Sequence, residues 1–377
     1  MIYLDYAATT PISDKALEIY GHIAKNQYGN PKSLHDVGTI ADHSLTASRK
    51  TLAELINGDE HGIYFTSGGT ESNHLAILSL ARAHKEKGKQ IITSKMEHAS
   101  VLQAFELLKK EGFDVRYVPV NAHGIVERDA LANLITNETI LVSLAYTNGE
   151  IGVIQNIEEI GAFLKKRKIL FHSDCVQAFG KIEIDTQKAN LSSISLASHK
   201  IYGPKGVGAV YISPEIKWKA LFDDVTHENG FRPGTVNLPG IVSFVYAAEE
   251  ACEAILSEQN RIQRLRDIFL SCIMDHDKII VEEHPDSKAQ SPYLLGLRLK
   301  GVEGQYTMLE CNRHGIALST GSACQIGEHT PSYTMHALGR TIDEAREFIR
   351  ISFGKYTDEK DCITAANCLN EIVKNRE

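Results

Sequence analysis

The sequence predicts an α/β protein: a large domain built on a mainly parallel sheet, followed by a smaller α+β domain. Three observations carry this. Seven short apolar runs, at 63–66, 91–93, 115–118, 140–145, 169–171, 194–197 and 207–212, alternate with amphipathic segments. Such alternation marks strands joined by crossover helices. The 377 residues exceed what one hydrophobic core usually serves. Beyond a helical pattern from about 240 to about 275, strand-like segments at 293–299, 316–319 and 348–353 interleave with helices, a different rhythm that predicts a second unit.

The elements follow in order. Apolar residues recur at helical spacing over 13–25, 40–56, 72–87 and 157–166, and Asn57-Gly58 ends the second of these because both residues tolerate the left-handed conformation of a helix cap. The basic run Lys165-Lys166-Arg167-Lys168 falls where positive charge offsets the negative end of a helix dipole, so it reads as a solvated helix end. A last helix is expected from about 358 to 375. The large domain is expected over 16–255, and the small one over 1–15 together with 256–377.

Composition narrows the functional classes. A net charge of −8 argues against a general nucleic-acid surface. The seven cysteines form neither a paired framework nor a Cys-x-x-Cys spacing, which fits a reducing compartment. The histidines lack metal-ligand spacing, so no metal is expected. Met1-Ile2-Tyr3-Leu4-Asp5 is not a signal-peptide pattern, and no apolar run approaches the roughly 18 residues that span a bilayer. A cytoplasmic protein with no membrane contact is expected.

The chemistry begins at Lys200, which follows His199 and precedes a glycine-rich turn, with Asp174 and Gln177 upstream. A lysine amine that condenses with an aldehyde and a carboxylate that keeps a pyridine nitrogen protonated are the two parts a pyridoxal 5'-phosphate (PLP) site requires. Ser67-Gly68-Gly69-Thr70-Glu71 joins an apolar run to a helix, and small residues there expose backbone N–H groups at the positive helix end, a place for a phosphate. His98, Asn148 and Asp174 each follow a strand pattern, at the edge of a parallel sheet where ligands bind.

Together with Tyr3-Leu4-Asp5-Tyr6-Ala7-Ala8-Thr9-Thr10-Pro11, Gly29-Asn30-Pro31, Asn148-Gly149-Glu150, Arg232-Pro233-Gly234-Thr235, Ser319-Thr320-Gly321-Ser322-Ala323-Cys324 and Ile349-Arg350-Ile351-Ser352, these motifs run in one order along nearly the whole chain. The chain resembles the cysteine desulfurases of fold type I, in the long-loop class. The resemblance implies a PLP-dependent homodimer that turns L-cysteine into L-alanine. It further implies a persulfide on Cys324, passed to an acceptor protein: a scaffold for iron-sulfur clusters or a transfer-RNA thiolation enzyme. By the same resemblance Lys200 holds the cofactor and acts as base, Asp174 faces the ring nitrogen, Gln177 the ring hydroxyl, and His98 the ring face. Gly69, Thr70, Ser198 and His199 meet the phosphate, and Thr235 meets that of the neighbouring subunit. Arg350 clamps the substrate carboxylate, with Asn148 and Asn30 on the substrate side.

Two departures stand out. The family shows a second asparagine where this chain has Gly149, and serine then glycine before the histidine where it has Ala197 and Ser198. A contact near the substrate carboxylate is therefore expected to be missing, and Ser198 is expected to supply the phosphate hydroxyl. Rival readings of the same residues are a selenocysteine lyase or aminotransferase in which Cys324 is incidental, and a weakly active scaffold that binds PLP and takes part in sulfur transfer.

Overall fold

A computed structural model describes residues 1–274, 277–320 and 332–375. The N-terminal segment contributes β1 (Ile2–Tyr3), α1 (Asp14–Asn26) and α2 (Asp36–Glu54). The alternating region then supplies β2 (Ile63–Thr66), α3 (Gly69–Ala83), β3 (Gln90–Ser94), α4 (Ala99–Lys110), β4 (Asp114–Val118), α5 (Arg128–Leu134), β5 (Thr139–Ala145), α6 (Ile157–Lys165), β6 (Leu170–Asp174), β7 (Ser193–Ala197) and β8 (Gly208–Ile212). After α7 (Leu238–Glu253) and α8 (Ile255–Ser271) come β9 (Ile279–Glu282), β10 (Leu294–Leu299), α9 (Gly304–Arg313), β11 (Ile316–Ala317), α10 (Tyr333–Ala337), α11 (Ile342–Arg346), β12 (Phe348–Ser352) and α12 (Glu359–Lys374).

The seven expected runs form one sheet in the order β2-β8-β7-β6-β5-β3-β4. Its members from β4 to β7 are parallel, and β8 runs antiparallel to both β7 and β2. Strands buried on both faces carry mainly apolar side chains, which is why the inner ones appear as apolar runs, whereas β4, at the sheet edge, alternates exposed and partly buried positions. One face packs Leu52, Phe171, Phe179 and Phe244, and the other Leu78, Phe105 and Phe113. Helix α1 is capped by Ser13, whose side chain accepts from the Ala16 N–H, and it packs along α7.

Topology places the functional edge. From β3 the chain moves outward to β4, whereas from β5 it moves the other way to β6, so a crevice opens at the carboxyl ends of β3 and β5. The register sets Ala145 opposite Asp174, and Asp174 opposite Ser195. The segments that follow β3, β5, β6 and β7 therefore end side by side.

A separate apolar cluster holds Leu4, Leu265, Phe269, Leu297, Ile349, Phe353 and Leu369. It surrounds the antiparallel sheet β12-β10-β9 and the parallel pair of β1 with β11. The first strand of the chain thus packs with its C-terminal part.

Several elements differ from the sequence reading; helix α2, for one, spans Asp36–Glu54 rather than 40–56. Helix α3 starts at Gly69 rather than 72, because Gly69 and Thr70 already take helical geometry. The expected single helix from 240 onward is two helices that meet at Ala254. Strands β1 and β9 escaped notice; the first has two residues and the second four, and each is only partly buried.

Candidate active site

A cavity of about 550 Å³ lies at the crevice, walled by the sheet edge on one side and by Tyr333, Thr334 and Arg350 on the other. It brings together Gly69, Thr70, His98, Asn148, Asp174, Gln177, His199, Lys200 and Arg350. Cys324 lies outside the described residues.

Three expected contacts are not at the cavity wall. Asn30 and Thr235 are exposed and lie outside the lining of this chain's cavity. Ser198 is fully buried and does not line the cavity, and its Oγ has no hydrogen-bond partner among the described residues. The residue closes the turn instead, with its carbonyl accepting from the Ile201 and Gly203 N–H groups. Gly203 packs against it so closely that a Cβ there would sit 2.2 Å from Ser198 Oγ.

Lys200 rides on a short turn directly after β7. That turn is stitched to the N-terminal segment: Thr10 N–H donates to His199 O, Tyr202 N–H to Thr10 Oγ1, and Ser13 N–H to Tyr202 O. Tyr202 has φ +67°, a left-handed conformation that costs a bulky residue energy and is held by these bonds. The result aims Lys200 Nζ at Ala7 O and Ala8 O, the latter at 2.9 Å. Gln177 Nε2 also donates to Ala7 O, at 3.0 Å.

A buried polar chain links two further site residues. Asp174, at the end of β6, accepts from Asn73 Nδ2 at 2.7 Å and from the Val176 N–H at 2.9 Å. Asn73 Nδ2 also reaches Ser100 Oγ at 3.0 Å, and Ser100 Oγ lies 2.7 Å from His98 Nδ1. The Ser100 N–H donates to the same Nδ1. With Nδ1 accepting, the neutral ring carries its proton on Nε2. The low-dielectric walls depress the pKa of His98, an effect opposed by Asp174, so the ring is neutral at pH 7. Asn73 and Ser100 were not singled out in the sequence.

At the other end of the cavity, α3 begins at Gly68 with no side chain capping its first turn. Its N–H groups are available to an anion, and the helix dipole favours one. Gly68 has φ +144°, and Gly208 must lack a side chain because a Cβ there would lie 2.7 Å from Gly68 Cα. His199, Lys200 and Lys205 line the same cavity. Burial and the neighbouring Lys200 and Lys205 push the His199 pKa down to about 4, leaving it a neutral hydrogen-bonding group beside Thr9.

Arg350 occupies the wall contributed by β12. Its Nη1 donates to Gly149 O at 3.0 Å and its Nη2 to Asp5 Oδ1 at 2.8 Å, while Nε is buried without a partner among the described residues. Asn148 is fixed through both ends of its amide, with Oδ1 accepting from the Glu150 and Ile151 N–H groups and Nδ2 donating to Met96 O. Its Nδ2 also reaches Thr334 Oγ1, while Ser332 donates to Glu150. Burial raises the Glu150 pKa.

This donor set fits PLP. The uncapped helix start suits its phosphate, Asp174 its ring nitrogen, the Gln177 amide its ring oxygen, and Lys200 its aldehyde. Among the described residues no group of histidine, cysteine, aspartate or glutamate side chains is arranged to hold a metal, and no helix is long and apolar enough to cross a membrane.

Comparison with known proteins points the same way. The family model described as aminotransferase class-V matches residues 2–363. A Bacillus subtilis protein with the provisional name cysteine desulfurase NifS is 47% identical over 95% of this chain and 91% of its own. The cysteine desulfurase IscS of Methanosarcina thermophila is 37% identical over 99% of this chain and 92% of its own. Among solved structures, a NifS-like protein superimposes with a TM-score of 0.91 at 31% identity, covering 99% of both chains. A structure described as SspA in complex with cysteine superimposes at 0.82 with 29% identity, over 95% of this chain and all of that one.

Proposed function

The chain belongs to the aminotransferase class-V family, and from that premise we propose that it is a PLP-dependent cysteine desulfurase that converts L-cysteine to L-alanine. The observation that carries the reading is the convergence of Lys200, Asp174, Gln177 and Arg350 on one cavity that also offers an uncapped helix start. The bound cofactor would act as an electron sink for charge released at the substrate α-carbon.

The chain's own residues do the rest. Arg350, with Nε still unpartnered, binds the substrate carboxylate; a guanidinium meets both oxygens of a carboxylate, which fixes the α-carbon relative to Lys200. Lys200 Nζ takes the α-proton and returns it. Asp174 would face the ring nitrogen, and its two hydrogen bonds, from Asn73 and the Val176 N–H, fix its orientation for that task. His98 presents its Nε2–H to the reacting groups. Glu150, Asn148, Ser332 and Thr334 fix the wall opposite the sheet, which excludes water from the reacting centre.

Sulfur leaves through Cys324, whose role rests on the resemblance. Its thiolate attacks the substrate sulfur, a sulfur–sulfur bond forms as the carbon–sulfur bond breaks, and the electron pair of the broken bond returns to carbon, which is protonated to give alanine. The persulfide then passes to an acceptor protein, in iron-sulfur cluster or transfer-RNA thiolation chemistry. The enzyme acts as a cytoplasmic homodimer of chains, each with a large domain over 16–255 and a small domain of 1–15 with 256–377. In support of pairing, Leu34 and Tyr28 are exposed beside Asn30, and Phe222 is exposed upstream of Thr235. Apolar surface of this kind is what a subunit contact covers.

The test is product analysis with L-cysteine, PLP and a thiol reductant. Alanine and sulfide formed in equal amounts by the parent, with sulfide lost in Cys324→Ala, supports the reading. Pyruvate or a transaminated product in place of alanine, or undiminished sulfide from Cys324→Ala, overturns it.

A further inference from the structure

Behind Lys200 lies a second cavity, of about 160 Å³, and Lys200 lines both. The amine of Lys181 stands in its wall. Lys181 follows Gly180, whose φ of +67° turns the chain after β6 so that Lys181 doubles back beneath Gln177. Its Nζ donates to Gln177 Oε1 at 3.0 Å. The other end of that amide, Nε2, donates to Ala7 O, the acceptor it shares with Lys200 Nζ.

A glutamine side chain can present either end of its amide, and the two ends differ in what they recognise. When charged, Lys181 can donate but not accept, and when neutral it can still donate, so an oxygen facing it is favoured and the NH₂ group is left for the active-site side. A ring oxygen bearing negative charge needs that NH₂ group. If the amide were reversed, it would set a carbonyl against that oxygen.

We propose that Lys181 is a positioning residue of the active site, acting from the second cavity to fix the Gln177 amide with its NH₂ group toward the cofactor and to couple electrostatically to Lys200. This rests on the reading of the site as a PLP centre. Lys181 touches neither substrate nor cofactor.

The charge environment supports the second part. Most charged groups around this cavity are matched: Lys355 with Glu250 at 2.7 Å, and Arg261 with Glu258 at 2.9 Å. Tyr6, Tyr202 and Tyr293 stay protonated, their pKa values raised chiefly by burial. Lys181 has no carboxylate in ion-pair range among the described residues; it faces the Tyr293 ring at 5.9 Å. Burial first, then the charges of Lys200 and Arg350, push its pKa down to about 7. Coupling between two sites is reciprocal, so an amine at 181 disfavours added positive charge at 200 as well. An unprotonated lysine is the form that attacks an aldehyde.

Two variants of the full-length apoprotein separate the effects. Lys181→Met removes donor and charge at similar volume, whereas Lys181→Gln keeps a donor without the charge. The readouts are the dissociation constant for PLP and the pH dependence of the rate at which borohydride-trapped pyridoxyl-Lys200 accumulates, with circular dichroism as the check on folding. Lys181→Met is expected to bind PLP roughly tenfold more weakly, and Lys181→Gln to stay near the parent. Both should shift the midpoint of the rate profile upward by about one pH unit. Parent-like affinity and an unmoved midpoint in Lys181→Met would overturn the proposal, as would equal weakening in both variants, which marks simple loss of packing. A parent protein that captures no PLP would remove the functional reading itself.

Discussion

Asn73 donates to Asp174 across 2.7 Å, from the middle of a helix that lies 101 residues away in sequence. The same amide nitrogen reaches Ser100, which in turn meets His98. One buried side chain therefore orients the Asp174 carboxylate directly and the His98 imidazole through Ser100. Replacing Asn73 by Ala removes the side-chain donor to Asp174, leaving the Val176 N–H, and unties Ser100 Oγ, while the Ser100 N–H still fixes the His98 tautomer. The expected cost is about 1–2 kcal/mol, roughly a 5- to 30-fold weaker affinity for PLP, read by spectrophotometric titration.

Arg350 is held by Asp5 and the Gly149 carbonyl, so its fork is oriented before substrate arrives. Lysine at 350 keeps the charge but loses the two-pronged geometry. Steady-state kinetics of Arg350→Lys should show KM for L-cysteine raised roughly 10- to 100-fold, with PLP affinity near the parent's. Asp5→Asn is expected to move KM in the same direction by a smaller factor.

Gly149 stands where the family pattern has an asparagine, and the structure has room for a Cβ there. A Cβ at 149 would sit 3.4 Å from Gln177 Cγ, an ordinary contact, and the position has no positive φ to strain a side chain. Gly149→Asn should restore a polar contact at the substrate side. A fall in KM of roughly three- to tenfold, with the borohydride-trapped yield on Lys200 unchanged, is the expected outcome.

Two buried groups set opposite pH slopes on stability. Burial holds His172, between Ser143 and Ser195, down at about 3 against an ordinary 6.5, so the unfolded chain binds a proton that the folded one refuses. Stability from this group is present above 6.5 and is lost as pH falls toward 3. Burial raises Glu97 from 4.5 to about 8, so its contribution is full below 4.5 and is lost as pH rises to 8. The slopes oppose between 4.5 and 6.5; above that Glu97 lowers stability, opposed from about pH 7 by Lys181, which burial holds near 7 against an ordinary 10.5. The urea midpoint of the parent should therefore fall relative to that of Glu97→Gln, which can still accept from Ser94, between about pH 6.5 and pH 8.

The sheet was legible because its strands are buried on both faces and so show as apolar runs between amphipathic ones. The site residues fixed by strand ends and turns, Lys200, Asp174, His98 and Gly69, were legible for the same reason: topology puts such positions at one edge. Asn73, Ser100 and Lys181 were not, because each acts on a partner remote in sequence or through another side chain. For Asn73 a signal existed: it is a polar residue on the helix face that also carries Ala76, Ile77 and Leu80, all buried. Ser198 lies off the cavity lining for a physical reason. It occupies the first position after β7, where the chain tightens into the turn that aims Lys200, and its hydroxyl is directed at Gly203 rather than at the cavity.

The central claim is that the Lys200 amine is the covalent anchor for PLP. Mass spectrometry of the protein after incubation with PLP and reduction with borohydride tests it most directly. A pyridoxyl group on the peptide carrying Lys200, and its absence there in Lys200→Ala, is the predicted result. An unmodified Lys200 in the reduced parent protein, whether the label sits on Lys181 or Lys205 or nowhere, would contradict the account.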